Sequence, residues 1–124
     1  MPKILIVDDE PHIRLLLEQT LEDLEDKGVE IITADNGEDA LSLITANSPR
    51  LVFLDIMMPK LNGFEVCNKV KNELKMEGVY IIMLTAKGEE FDIEKGKCAG
   101  ADVYMTKPFD PDAIVAKARK VLGL

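Results

Sequence analysis

The 124-residue sequence has little of several residue types, and each shortage excludes a class of protein. Only two cysteines are present, Cys67 and Cys98, and their spacing fits no metal-binding motif, so a reducing compartment is expected. The longest apolar runs extend over about six residues, well short of the roughly twenty that cross a bilayer. No secretory signal is apparent, and we therefore expect a cytoplasmic chain without membrane association.

Basic residues are also few, because 15 Lys and Arg stand against 23 Asp and Glu, giving a formal net charge of −8. Such a charge repels phosphate backbones and anionic membranes, so a direct nucleic-acid surface is not expected. The 47% of hydrophobic residues is ordinary for a soluble globular protein. The length is close to the commonest size of one domain, and we expect a single domain over residues 1–124.

Short apolar runs of strand character alternate with longer amphipathic stretches. The runs are KILIV (3–7), VEIITA (29–34), LVFL (51–54), VYIIML (79–84) and VYMT (103–106). Apolar residues recur at helical spacing elsewhere: Ile13, Leu16, Leu17, Leu21 and Leu24, then Cys67, Val70 and Leu74, then Ile114, Ala118, Val121 and Leu122. The pattern predicts five β-α units in an α/β fold, a parallel sheet with helices on both faces and the second strand at an edge.

Ligands of such folds bind beyond the carboxyl ends of the strands. The residues at those ends are Asp8, Asp9 and Glu10, then Asp55, then Thr85 and Ala86, then Thr106, Lys107 and Pro108. Crowded carboxylates repel one another unless a cation neutralises them, and oxygen-only ligands suit Mg²⁺ or Mn²⁺. The pattern therefore predicts a metal held by Asp8, Asp9 and Asp55, although the first two could instead cap a helix. Lys107 could be only a salt-bridge partner, and Thr85 only a cap.

In this order, Asp8-Asp9, Asp55 in LDIMMPKLNGFEV, Thr85-Ala86 and Lys107-Pro108-Phe109 closely resemble the receiver domain of two-component response regulators, including chemotaxis regulators. The resemblance runs from residue 3 to about 122 and implies a doubly wound, flavodoxin-like sheet of order 2-1-3-4-5. Asp55 would accept a phosphoryl group from a sensor histidine kinase or a histidine phosphotransfer protein, as in a phosphorelay. Asp8, Asp9, Asp55 and the Met57 carbonyl would hold Mg²⁺, while Lys107 and Thr85 would contact the phosphoryl oxygens. Pro59 and Gly63 match the loop after the acceptor.

The resemblance also implies a switch rather than a conventional enzyme, catalysing only its own phosphorylation and slow dephosphorylation. Thr85 and Tyr104 would be the switch residues, and the Lys107–Pro108 peptide is expected to be cis. Phosphorylation would change the face of the fourth helix, fifth strand and fifth helix, which would control a downstream protein or a fused output domain, or form a dimer. Met57 and Lys87 would flank the phosphoryl group, and the bulk of Met57 predicts slow hydrolysis.

Two other classes of protein share parts of this pattern. A flavodoxin-like redox carrier needs a phosphate-binding loop rich in Ser, Thr and Gly after the first strand, where VDDEPH offers acids. An aspartyl-phosphate phosphatase would carry its nucleophile at the end of the first strand and would need a substrate-covering insertion. The single histidine, His12, lacks the paired helices of a relay histidine. The receiver interpretation is therefore favoured over the redox carrier, the phosphatase and a protein with a relay histidine.

Overall fold

The computed structural model describes residues 2–56, 58, 60–86 and 100–124. Its strands are β1 (Lys3–Val7), β2 (Glu30–Ala34), β3 (Leu51–Asp55), β4 (Tyr80–Ala86) and β5 (Val103–Lys107). They form one sheet in the order β2-β1-β3-β4-β5, and every neighbouring pair is parallel. The predicted fold class, the strand order and the position of β2 at an edge are confirmed.

Most helices of the described residues begin where the sequence offers a helix-starting signal, and the short helix over Glu22–Glu25 is the exception. They are α1 (Pro11–Thr20), α2 (Glu22–Glu25), α3 (Gly37–Asn47), α4 (Gly63–Asn68) and α5 (Pro111–Leu122). Pro11 and Pro111 stand in first turns, where a missing N–H costs little. The Asn36 side chain caps α3, and Asn62 forms a capping box with Glu65 at α4. The predicted fourth helix falls among residues 87–99 and lies outside the described residues.

Two hydrophobic clusters cover the two faces of the sheet, as a parallel sheet requires. Alternate residues of β3 serve the two faces: Val52 and Leu54 pack with α3 and α4, and Leu51 and Phe53 pack with α1 and α5. All four side chains are fully buried. This double coverage makes β3 the rigid centre of the molecule and fixes where its last residue lies.

Two apolar residues expected on buried helix faces are exposed instead. Leu16 is 43% exposed on α1, and Leu74 is 47% exposed just beyond α4. After Asn68 the chain continues as a π-helical turn over Lys69–Glu73, whose wider repeat rotates the following residue away from the predicted face. Among the helices of the described residues, none is both long and apolar enough to cross a bilayer.

Candidate functional site

The carboxyl ends of four adjacent strands bring the predicted residues to one edge of the sheet. Asp55 is the last residue of β3, Lys107 is the last of β5, and Thr85 is the penultimate residue of β4. Asp8 directly follows β1. β3, β4 and β5 each extend one or two residues beyond the apolar runs, so Asp55, Thr85 and Lys107 belong to the sheet itself. Their positions are therefore set by the ladder and not by flexible loops.

Lys107 lies between the two carboxylates of the site. Its Nζ is 2.8 Å from Oδ2 of Asp8 and 3.3 Å from Oδ1 of Asp55. The Asp8 side chain is fully buried, and those of Asp55 and Lys107 are 8% and 18% exposed. The Asp55 carboxyl group is thus largely enclosed by the central strand and its neighbours, although it ends a strand at the edge where ligands bind. The Lys107–Pro108 peptide is cis, as the sequence comparison with receivers implied.

The electrostatics of Asp55 are dominated by burial. The pKa of Asp55 is raised from 3.8 to about 7, chiefly because the carboxyl group is removed from water and also because of the negative charges of Asp8 and Asp9, while Lys107 opposes the rise. The ion pair with Lys107 favours the ionised form of Asp55, but Lys107 lies closer to Asp8 and is shared between the two carboxyl groups. Asp55 is therefore a carboxyl group whose charged form needs additional positive charge nearby.

Lys107 keeps its charge in spite of partial burial. Burial favours the neutral amine, but the hydrogen bond to Asp8 and the charges of Asp55 and Asp8 outweigh it and raise the pKa of Lys107 above 10.5. The side chain is thus a permanent ammonium group held beside the Asp55 carboxyl group. Such a group can neutralise anionic oxygens placed on Asp55.

The turn between β1 and α1 is fixed by hydrogen bonds around Asp8. The Asp8 N–H donates to the Ala34 carbonyl at 3.2 Å, and the Glu10 N–H donates to Asp8 Oδ1 at 2.9 Å. Nη1 of Arg14 donates to the Asp8 carbonyl at 2.7 Å. Neither Asp8 nor Asp9 is the N-cap of α1, since that position belongs to Glu10, which makes no side-chain cap. The helix-capping alternative for these two acids is therefore not supported.

Three carboxylates at this turn could share a cation. One oxygen from each of Asp8, Asp9 and Glu10 lies within 4.8 Å of the others, and Asp9 and Glu10 are exposed while Asp8 is buried. Hard oxygen donors with access to water suit Mg²⁺, which keeps several waters of its own. Glu10, which also lies 3.3 Å from Nε2 of His12, was not predicted as a metal residue. In the sequence, the position of Glu10 directly after Asp8 and Asp9 was the feature that could have identified it as a further acid of this cluster.

The loop after Asp55 is closed by a backbone contact at its base. The Gly63 N–H donates to the Ile56 carbonyl at 2.8 Å, and a Cβ on Gly63 would lie 2.5 Å from the Asp55 carbonyl oxygen. Within the loop, the Met58 side chain is half-buried and packs against the core. The predicted Met57 carbonyl ligand, Pro59 and the flanking Lys87 lie outside the described residues.

The two predicted switch residues lie on neighbouring strands. Thr85 is 1% exposed on β4, and Tyr104 on β5 is half-buried against the cluster that covers the α3 and α4 face. In the ladder, Thr85 is paired with Thr106, and Tyr104 is paired with Met83, two residues before Thr85. Because β4 and β5 are paired here, a displacement of the Thr85 backbone toward Asp55 would also shift β5, the strand that carries Tyr104.

Comparisons with known proteins agree with this geometry. Residues 4–119 match the family model described as "Response regulator receiver domain". The chain is 47% identical over 120 residues to the alkaline phosphatase synthesis transcriptional regulatory protein PhoP of Bacillus subtilis, covering 97% of this chain and 48% of that protein. It is 38% identical over 113 residues to protein PilG of Pseudomonas aeruginosa, covering 91% and 82%.

Among solved structures, a response regulator from Chloroflexus aurantiacus superimposes with a TM-score of 0.85 at 33% identity, with full coverage of both chains. The chain spans about half the length of the first curated relatives it matches. The family match covers nearly the whole sequence, and its fold and strand order are those described above. The chain belongs to the response regulator receiver domain family of two-component signalling.

Proposed function

We propose that this chain is a phosphorylation-dependent signalling switch whose acceptor is Asp55. The observation that carries the proposal is the contact of Lys107 with both Asp8 and Asp55 at the carboxyl edge of the sheet. A buried carboxylate beside a fixed ammonium group and an acid cluster combines a nucleophile with charges that stabilise a phosphoryl group. Family membership supports the same assignment.

In the proposed reaction, a carboxylate oxygen of Asp55 attacks the phosphorus of a phosphohistidine. The P–N bond breaks, the electron pair returns to the imidazole of the donor, and an acyl phosphate forms on Asp55. Lys107 would move from its present pairing to a phosphoryl oxygen, and the Thr85 hydroxyl would donate to another. Because the pKa of Asp55 is raised, part of the carboxyl group is protonated near neutral pH. Positive charge brought near it would lower that pKa and so favour the ionised, nucleophilic form.

Mg²⁺, or Mn²⁺ in its place, would be held by Asp8, Asp9 and Asp55 together with the Met57 carbonyl. When bound, the cation supplies charge neutralisation for the phosphoryl oxygens. The donor chemistry fits this role, since Asp8 and Asp9, clustered with Glu10, and the Asp55 carboxylate all offer hard oxygen ligands. Glu10 would accept a hydrogen bond from a water of the cation.

The proposed partners follow from the family. The phosphoryl donor would be a sensor histidine kinase or a histidine phosphotransfer protein. The output would pass through the face built from the predicted fourth helix, β5 and α5, to a downstream protein, to a fused output domain or to a second copy of the chain. We propose that residues 1–124 act as one receiver unit within that scheme.

Incubation with acetyl phosphate and Mg²⁺ tests the proposal without a cognate kinase. Intact-protein mass spectrometry should detect the addition of one phosphoryl group in the wild type and none in Asp55→Asn. Asp26→Asn, at an exposed acid remote from the site, is the matched control and should be phosphorylated like the wild type. Equal phosphorylation of Asp55→Asn and wild type would refute the assignment of the acceptor.

A further inference from the structure

Each polar group of Asp8 has a hydrogen-bond partner, and one of these partners has no part in the phosphoryl transfer proposed above. The Asp8 N–H donates to the Ala34 carbonyl at 3.2 Å, Oδ1 accepts the Glu10 N–H at 2.9 Å, and Oδ2 is 2.8 Å from Nζ of Lys107. The main-chain carbonyl accepts a hydrogen bond of 2.7 Å from Nη1 of Arg14. Within the described part of the chain, Arg14 is thus the side chain that holds this carbonyl.

Arg14 reaches the Asp8 carbonyl because of its place in α1. It is the fourth residue of the helix, and its N–H donates to the Glu10 carbonyl at 3.2 Å. Side chains of a helix lean toward its N-terminus, so the guanidinium group lies over the turn that precedes α1. The planar guanidinium group is also rigid, and less side-chain freedom is lost per hydrogen bond than with lysine.

The helix itself gives no reason for a positive charge at this position. The N-terminus of a helix carries partial positive charge and favours acidic residues, yet the first turn of α1 has none. Arg14 borders a cavity of about 500 Å³ together with Asp35 and Asp39. Among the described residues, however, no carboxylate oxygen lies within 4.0 Å of the Arg14 nitrogen atoms. The directed contact of the guanidinium group is therefore its hydrogen bond to the Asp8 carbonyl.

We infer that Arg14 is a positioning residue that holds the Asp8 carbonyl so that the carboxylates of Asp8 and Asp9 converge on one cation. The inference rests on the proposed function, since the cation is that of the proposed site. The Asp8 carbonyl belongs to the planar peptide group that joins Asp8 to Asp9, so holding it also fixes where the Asp9 side chain starts. Asp9 is exposed and follows the end of β1, so neither burial nor the strand ladder supplies that support.

The substitution Arg14→Met separates the effect of position from the effect of charge. Methionine is unbranched, is a good helix former and keeps an apolar stem, but it has neither the N–H donors nor the charge. Removal of a positive charge beside carboxylates should by itself strengthen the binding of a dication. A positioning role predicts the opposite sign, because carboxylates that are no longer aligned bind the cation more weakly.

Isothermal titration calorimetry with Mg²⁺ measures the effect, on proteins that circular dichroism shows to be folded at the working temperature. Arg14→Met should weaken Mg²⁺ binding about tenfold. The loss should be at least as large at about 0.5 M KCl as at about 0.05 M KCl, because salt screens the charge effect and leaves the geometry unchanged. Equal or tighter binding by Arg14→Met, or a loss confined to low salt, would overturn the inference.

Arg50→Met is the matched control. Nη2 of Arg50 also donates to a main-chain carbonyl, that of Val121 at 3.4 Å, but Arg50 precedes β3 and so lies at the opposite edge of the sheet. Arg50→Met should bind Mg²⁺ like the wild type. A loss equal to that of Arg14→Met would show that removal of either arginine has this effect, and it would overturn the inference.

An Arg14→Met protein that does not fold moves the test to Arg14→Gln, whose shorter side chain also lacks the guanidinium group. That variant should bind Mg²⁺ several-fold more weakly than the wild type, and unchanged affinity would overturn the inference. Failure of the proposed function is distinguishable, because wild-type protein would then neither bind Mg²⁺ nor become phosphorylated by acetyl phosphate. A wild type that does both, beside a folded Arg14→Met of unchanged affinity, would refute only the role of Arg14.

Discussion

Asp55→Asn should raise the free energy of unfolding in metal-free buffer, and the gain should grow with pH. The side chain is 8% exposed, and burial is the main reason that the pKa of Asp55 rises to about 7. A carboxyl whose pKa is raised by folding binds its proton more tightly in the folded state. Its ionisation therefore destabilises the protein as the pH rises from about 4 to about 7. Asparagine has a similar shape and carries no charge to bury.

The size of the effect follows from the two pKa values, 3.8 in the unfolded chain and about 7 in the fold. At about 1.4 kcal/mol per pKa unit, ionised Asp55 costs the folded state about 4 kcal/mol at about pH 8. At about pH 5 the folded protein still holds the proton, and the cost falls to about 2 kcal/mol. The advantage of Asp55→Asn over wild type should therefore be about 2 kcal/mol larger at the higher pH.

Urea unfolding followed by circular dichroism in EDTA gives these free energies directly. Comparing variant with wild type at each pH cancels the titration of all other groups that the substitution leaves unchanged. Asp26→Asn is the control, and its exposed position predicts a change within about 0.5 kcal/mol at both values of pH. An advantage of Asp55→Asn that is the same at both, or that shrinks as the pH rises, would refute the argument from burial.

Three further predictions concern the cation, the lifetime and the switch. Mg²⁺ should raise the melting temperature of the wild type by mass action, and Asp9→Ala should abolish that rise; a retained rise would contradict the cation assignment. Met57→Asn or Met57→Glu should accelerate loss of the phosphoryl group from isolated protein, measured by mass spectrometry over time, because a polar side chain can orient water; unchanged decay would contradict this. Phosphorylation should shift the amide resonances of Tyr104 and its β5 neighbours, and identical spectra would exclude coupling through Thr85.

The fold was predictable because its signals are local. Apolar runs of strand length and helical repeats between them are set by what must be buried on each side of a parallel sheet. Convergence of Asp8, Asp55 and Lys107 then followed from topology, since parallel strands in this order end at the same edge. The prediction failed where geometry departs from the regular repeat, as at the π-helical turn that leaves Leu74 exposed.

The finer features of the site depend on contacts between distant segments. The degree to which Asp55 is buried is set by neighbouring strands and by Lys107, so the run LVFLD alone indicated only a strand end. A Cβ on Gly37 would lie 2.5 Å from the Leu61 Cβ, so residues far apart in the sequence approach closely, and no local pattern identifies which backbone a glycine will meet. Glu10 was overlooked because an acid after an Asp pair is equally typical of a helix start.

Locating the acyl phosphate tests the central claim most directly. After incubation with acetyl phosphate and Mg²⁺, borohydride reduction converts an aspartyl phosphate into homoserine, which marks the acceptor permanently for peptide mass spectrometry. The account predicts homoserine at position 55, within the peptide LVFLDIMMPK or a longer fragment that contains it. Homoserine at position 8 or 9, or its absence from a protein that has gained a phosphoryl group, would contradict the assignment of Asp55 as the acceptor.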